Sequence, residues 1–181
     1  MKHQEKLWKT KHFILHYEDR IDSQHNHGQN TGDICHLCRD KNIIPTPKDT
    51  HLHVLWECTA AKDLWNALGD TLTKINLPGF ERNKAIILGM KNVSPKDKAM
   101  DTVIGAAIHY LWIARCDYRH EKIIPKPGSI MAKCVIKAFK TAIENHFLMY
   151  KRNNTIENFK MLFKLDGIFT ITPQNTLQFF I

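Results

Sequence analysis

The chain has 181 residues, with 26 lysines and arginines against 18 acidic residues, which gives a formal net charge of +8 and a pI near 9.3. Hydrophobic residues make up 43% and charged residues 24%, a balance that is typical of a globular domain and excludes a disordered chain. No apolar stretch reaches the roughly 18 residues of a membrane span, and the charged segment Met1–Leu15 does not resemble a secretory signal. We therefore expect an intracellular protein, and the charge favours an anionic partner, most commonly nucleic acid. Because the charge is spread along the chain, composition alone is equally compatible with a soluble basic protein that has no such partner.

The N-terminal part combines one predicted helix with a polar loop. Residues 4–18 are predicted to form a helix, and the loop follows from Asp22 to Asp33. The candidates for the buried side of this helix are its large apolar residues, Leu7, Trp8, Ile14 and Leu15.

Two pairs of metal-ligating residues follow the loop. Cys35 and Cys38 are separated by two residues, and after a gap of 14 residues His53 and Cys58 are separated by four. Because a reducing compartment disfavours disulfides, this pattern predicts a tetrahedral zinc site. The alternative is that the cysteines are small buried residues without a metal, and His51 competes with His53 as the fourth ligand.

The second ligand pair lies where a helix is predicted to begin. Apolar residues recur at helical spacing between Thr50 and Lys74. Four intervening residues place His53 and Cys58 too far apart for one ideal helical face, where positions i and i+4 align. We therefore expect the backbone to bend or to enter a helix there, with Asp49 or Thr50 as the N-cap.

Five more segments are predicted along the rest of the chain. A short apolar run at 85–89 is followed by a long helix that begins at Ser94-Pro95 and ends near Ile124. Further helices are predicted from about 129 to 152 and from 156 to 165, and the tail 167–181 is predicted to be either a strand or a frayed end. Cys116 and Cys134 fall in the helical patterns and are expected to be core thiols.

These elements predict a mainly α fold, a helical bundle with a small Cys-Cys-His-Cys zinc knuckle near the N-terminus. The expected divisions are an N-terminal helix and loop at 1–32, the zinc motif and its helix at 33–75, a helical region at 76–165 and a tail at 166–181. The zinc is expected to be structural, pinning the loop onto the following helix.

A family resemblance is carried by the block His53-Val-Leu-Trp-Glu-Cys58-Thr-Ala-Ala-Lys-Asp-Leu-Trp65. It resembles the end of the zinc-binding segment in LINE-type (non-LTR) retrotransposon polyproteins. Ile86-Ile-Leu-Gly89 and the Trp112-Ile-Ala-Arg115 helix are similar to later parts of that region, in the same order. The likeness spans residues from about 4 to about 165. One departure is the long gap before His53, which contains Pro45-Thr46-Pro47.

This resemblance implies a function. In that family the region lies C-terminal to the reverse transcriptase and is implied to bind template RNA or target DNA during target-primed reverse transcription. Matching positions make Cys35, Cys38, His53 and Cys58 the zinc ligands. An upstream reverse transcriptase domain would be a partner.

The sequence shows no signature of catalysis. It lacks the paired aspartates of a polymerase, and Tyr17-Glu18-Asp19 does not replace them. The best nucleophile and base pair is Cys116 with His120, four residues apart, but no orienting acid accompanies it. We therefore expect a non-catalytic module.

Two sets of cations are candidate phosphate contacts. Around the knuckle they are Arg39, Lys41 and Lys48, and on a later helix they are Lys133, Lys137 and Lys140. A lysine stripe is also typical of a merely solvated helix face. The alternative function is therefore a zinc-stabilised protein-interaction module without a nucleic-acid role.

Three further residues allow two interpretations each. Trp56 and Trp65 are expected to pack in the core and not to stack on bases. Arg115 is expected either to bind phosphate or to pair with an acid such as Asp101 or Asp117.

Overall fold

Helices and one short hairpin make up the structure, a computed structural model that describes residues 34–50, 52–74, 98–163 and 168–180. The helices are α1 (His36–Asp40), α2 (Thr59–Lys74), α3 (Lys98–Glu121), α4 (Gly128–Arg152) and α5 (Ile156–Leu162), with a π-helical turn at His53–Glu57. Strands β1 (Phe169–Ile171) and β2 (Leu177–Phe179) pair antiparallel. The predicted class, a mainly helical bundle with a Cys-Cys-His-Cys cluster near the N-terminus, is confirmed.

Several elements predicted from the sequence fall in segments that the structure does not describe. The helix at 4–18, the loop at 22–33, the apolar run at 85–89 and the helix start at Ser94-Pro95 all lie outside the described residues, as does His51. Within the described ranges, no helix combines the length and the apolar character needed to cross a bilayer.

Helices α2, α3 and α4 bury apolar faces against one another. Side chains at intervals of three or four residues point inward from each helix, as the amphipathic pattern predicts; the largest of them with almost no exposure include Leu64, Trp65, Leu68, Ile108, Phe139 and Ile143. The indole Nε1 of Trp65 donates a hydrogen bond to the Leu55 carbonyl oxygen at 2.7 Å. Trp65 is therefore a core residue, as predicted, and the half-buried Trp56 packs against the same core.

One continuous core joins the knuckle, the helices and the hairpin. Its buried members run from Cys35 and Leu37 in the knuckle to Phe159 in α5 and Ile168 before β1. The described parts of the predicted segments 33–75 and 76–165 therefore share their apolar interior.

Helix α3 ends earlier than the sequence predicts. It ends at Glu121 and not near Ile124, because Lys122 adopts a left-handed conformation with φ of 57°. That conformation ends a right-handed helix. A short connection then leads to α4, which begins directly after Pro127.

The C-terminal tail forms a hairpin. Its register places Thr170 opposite Gln178, and the turn contains Asn175 in a left-handed conformation with φ of 54°. Of the two predicted alternatives for the tail, a strand and a frayed end, the structure has the strand. Helix α5, predicted to reach Leu165, ends at Leu162.

Gly128 marks a close approach of α4 to the backbone of α2, and this contact makes a testable prediction. A Cβ placed on Gly128 would lie 2.2 Å from the carbonyl oxygen of Asp63. Because that neighbour is backbone, it cannot rotate away as a side chain can. We expect Gly128→Ala to lower the free energy of unfolding by about 1–3 kcal/mol, the usual cost of overpacking.

The measurement is urea denaturation, with Ser129→Ala as the matched control. Ser129 is exposed in the first turn of the same helix, so its replacement changes helix propensity without a clash. Equal stability of the two variants would contradict the close contact between α2 and α4.

Candidate metal centre

Four buried side chains converge near the N-terminal end of the described chain. The ligating atoms of Cys35, Cys38, His53 and Cys58 all lie within 4.8 Å of one another. Cys58 Sγ lies 3.9 Å from Cys35 Sγ and 3.9 Å from Cys38 Sγ, and Cys38 Sγ lies 3.3 Å from His53 Nε2. These are the four ligands predicted from the sequence, and the structure brings them together as a set that can hold a metal ion.

The first ligand pair is placed by a short helix and a backbone bridge. Cys35 occupies the N-cap of α1 with extended backbone angles, and Cys38 lies in the body of that helix. The Cys35 N–H donates to the Pro47 carbonyl oxygen at 2.9 Å, and Ile34 forms a β-bridge with Lys48. These contacts close the knuckle loop, so that both sulfurs face the second ligand pair.

The second pair is placed by the π-helical turn. The Cys58 N–H donates to the His53 carbonyl oxygen at 2.7 Å, a bond from residue i+5 to residue i. At 3.6 residues per turn the two side chains would point about 140° apart, whereas the wider π turn carries them to the same side. The sequence predicts that the backbone departs from one ideal helix between His53 and Cys58, and the structure has a π-helical turn there.

Helix caps complete the geometry of this pair. Thr50 Oγ1 accepts a hydrogen bond from the His53 N–H at 3.1 Å, so Thr50, one of the two predicted caps, stabilises the start of the turn. Cys58 has an extended ψ of 144°, and its carbonyl accepts from the Lys62 N–H at 2.9 Å. Cys58 therefore lies at the N-terminus of α2, where the helix dipole favours a negatively charged sulfur.

The electrostatics of the cluster favour a cation. Burial alone lowers the pKa of His53, but the three neighbouring cysteine sulfurs outweigh burial and raise that pKa to about 12. A metal ion bound by the imidazole and the thiolates would supply the positive charge that this environment favours. His53 Nδ1 is buried and has no hydrogen-bond partner within the described ranges, so contact with sulfur and packing orient the ring.

A buried ion pair connects the knuckle to the helical bundle. The Arg115 guanidinium in α3 donates through Nε to both carboxylate oxygens of Asp49, at 3.2 and 3.0 Å, and also through Nη2. The side chains are 12% and 5% exposed. Asp101 and Asp117, the acids named as possible partners of Arg115, lie on α3 itself, whereas Asp49 lies 66 positions away in sequence.

A second polar contact links the knuckle to α3. Tyr118 Oη in α3 donates to Asp40 Oδ2 at 2.8 Å, and Arg39 Nε donates to Asp40 Oδ1 at 2.9 Å. Hydrogen bonds from Arg39 and then from Tyr118 hold the pKa of Asp40 below its usual value, so the carboxylate stays ionised. The sequence did not single out either Asp40 or Tyr118, because no local pattern relates positions 78 residues apart.

The predicted phosphate contacts lie on separate elements. In the knuckle, Arg39 is paired with Asp40, and Lys41 Nζ donates to Thr59 Oγ1 at 3.4 Å. Lys48, which forms the β-bridge with Ile34, has an exposed side chain. On α4 the other set forms one stripe: Lys133 and Lys137 are exposed and Lys140 is half-buried. The two sets are therefore presented by different parts of the fold.

Positive charge is concentrated on α4 and the connection before it. Residues 122–152 contain seven lysines and arginines and a single acid, Glu144, an excess of six out of the net charge of +8. The knuckle segment 34–50 has three cations and two acids. Helix α4 is therefore the more strongly basic of the two candidate surfaces.

The candidate catalytic pair, Cys116 and His120, is not part of the metal-ligating cluster. Cys116 is half-buried and His120 is exposed near the C-terminal end of α3.

Comparison of the chain with protein-family models, with curated proteins and with solved structures finds no match.

Proposed function

We propose that the cluster holds a structural zinc ion. Tetrahedral zinc with bonds of about 2.3 Å to sulfur and 2.0 Å to nitrogen places two sulfurs about 3.8 Å apart and sulfur and nitrogen about 3.5 Å apart. The separations of 3.9 and 3.3 Å in the cluster are close to these values. Four protein ligands leave no open position for a substrate, which supports a structural ion and a non-catalytic protein.

We further propose that the chain is a nucleic-acid-binding module of retrotransposon origin, an accessory to reverse transcription. The observation that carries the binding function is the concentration of charge on residues 122–152, because lysines and arginines clustered on one helix are the electrostatic footprint of nucleic-acid binding. The retrotransposon origin rests on the resemblance of the block from His53 to Trp65. An upstream reverse transcriptase domain and an intracellular location belong to the same proposal.

Salt dependence tests this function. The zinc-loaded full chain is titrated into labelled RNA and DNA, single-stranded and duplex, at several salt concentrations. Neutralising four phosphates predicts that affinity falls roughly fiftyfold or more when salt rises fourfold, because binding releases condensed counterions. Absence of binding at low salt would contradict the proposal.

Protein docking is the second candidate function. Ile123 and Ile124 are 50% and 76% exposed, beside an apolar cleft between the knuckle and α3 that Val54, Leu111 and Pro125 help to line. A docking module predicts no affinity for nucleic acid and a partner complex that resists salt. The titration above therefore separates the two candidates.

A further inference from the structure

Strand β2 lies along helix α4 and runs antiparallel to it. At one end, Lys151 Nζ donates to the Asn175 carbonyl oxygen at 2.7 Å. At the other end, Lys140 Nζ lies 5.8 Å from the centre of the Phe179 ring. The chain therefore leaves β2 in the direction of the N-terminal half of α4, where the lysine stripe begins.

The residue at that exit is an exposed aromatic. Phe180 is 59% exposed, although its N–H donates to the Ile168 carbonyl oxygen at 2.8 Å. Side chains alternate along a strand, so Phe180 shares the outward face with Gln178, which pairs with the exposed Thr170. The hairpin thus presents an aromatic ring and hydrogen-bonding groups to solvent.

The lysine stripe lies along α4 and reaches β2 at Lys140, which contacts Phe179, the residue before Phe180. Lys133, Lys137 and Lys140 follow at intervals of four and three residues, which is one face of a helix. They cover about 10 Å of the helix axis. The acid on the same helix, Glu144, lies beyond this stretch on the side of Lys151.

We infer that the α4 lysines and Phe180 form a track for single-stranded nucleic acid, with the phosphates along the lysines and a base stacked on Phe180. This inference rests on the proposed function and specifies its site and the strand state. Exposed aromatics beside a basic groove recognise unpaired bases, because a base can stack on a ring only when its face is free. In a duplex the bases stack on one another and leave Phe180 without a partner.

The test compares single and double strands on matched variants of the zinc-loaded full chain. Labelled oligodeoxyuridylate and oligouridylate of about 12 nucleotides, which carry the same base on different sugars, are titrated beside a duplex of the same length. We expect Phe180→Ala to weaken single-strand binding by about five- to a hundredfold and to leave duplex binding unchanged. Phe180→Leu keeps the apolar bulk without the aromatic ring, and we expect it to resemble the alanine variant.

The lysines are tested by the slope of affinity against salt. For the double variant Lys133→Gln/Lys137→Gln, the slope of log affinity against log salt should fall by about 1.4 with single strands, since each lost phosphate contact removes about 0.7. The charge-matched control is Lys62→Gln/Lys74→Gln on α2, where both lysines are exposed, and its slope should equal that of the unchanged chain.

The outcomes separate this inference from the function on which it rests. Absence of binding to every probe overturns both. Binding that is unaffected at Phe180, Lys133 and Lys137, or that is as tight for the duplex, overturns the track and leaves nucleic-acid binding intact. Selective loss of single-strand binding supports the track, and the tighter of the two homopolymers then identifies the sugar.

Discussion

Replacement of Cys58 by serine is expected to abolish metal binding and to destabilise the knuckle. Cys58 Sγ lies 3.9 Å from both other sulfurs, and its backbone joins the π turn to α2. Zinc present at a thousandfold excess over its Kd stabilises a fold by about 4 kcal/mol. Losing that contribution should lower Tm by roughly 10 °C in a chain of this size. Elemental analysis after dialysis measures the metal content, and a thermal unfolding experiment measures Tm.

Two controls make this result specific. Cys116→Ser removes a half-buried thiol outside the cluster, so it should retain the full metal content. His53→Ala should lose metal and His51→Ala should keep it, because it is His53 Nε2 that lies 3.3 Å from Cys38 Sγ. A Cys58→Ser protein that keeps both its metal and its Tm would refute the metal centre.

The second large effect is expected from Arg115→Met. Removing the guanidinium leaves the Asp49 carboxylate, 5% exposed, without its ionic partner. Breaking a buried ion pair by removing one member costs about 3–5 kcal/mol, because the remaining charge is buried and uncompensated. We expect a loss of that size in the free energy of unfolding, measured by urea denaturation of the zinc-loaded protein.

A double-mutant cycle separates the ion pair from other effects. Adding Asp49→Leu to Arg115→Met removes the stranded charge, so we expect the double variant to be more stable than Arg115→Met alone. Arg152→Met, which removes an exposed cation at the end of α4, should change stability by less than about 0.5 kcal/mol. Additive single effects would show that Arg115 and Asp49 do not act as a pair.

The position of Asp49 explains why this pair matters for the metal centre. Asp49 follows the β-bridge of Lys48 with Ile34 and precedes Thr50, which caps the turn that carries His53. One anchored carboxylate thus holds the backbone between the two ligand pairs. We therefore expect Arg115→Met to weaken zinc affinity as well, in competition with a chromophoric chelator.

The ligand set could be predicted from local spacing. Cys35 and Cys38 are close enough in sequence to face one point, and soft ligands in two close pairs are typical of zinc sites. The helical bundle could be predicted for a similar reason, because residues three and four apart share a helix face whatever the fold around them. The buried positions of Trp65, Leu68 and Ile108 follow this rule.

Local spacing did not predict how the elements meet. For the segment from His53 to Cys58 the sequence predicts only that the backbone bends or enters a helix. Residue propensities do not distinguish the π turn that the structure has there from an α-helix. Arg115 was expected to bind phosphate or to pair with an acid such as Asp101 or Asp117; it pairs with the distant acid Asp49, which the sequence could not identify because it does not show which loop packs on α3. The tail could not be typed, since its strands are only three residues long and pack against α4.

The sequence by itself thus determined the chemistry of this protein: the four ligand types, the net positive charge and the apolar helix faces, all of which depend on residues close in the chain. Tertiary structure decided which groups meet across long separations: Asp49 with Arg115, Asp40 with Tyr118, and β2 with α4. Such contacts depend on how helix faces pack, and packing is a property of the whole core, to which every buried side chain contributes.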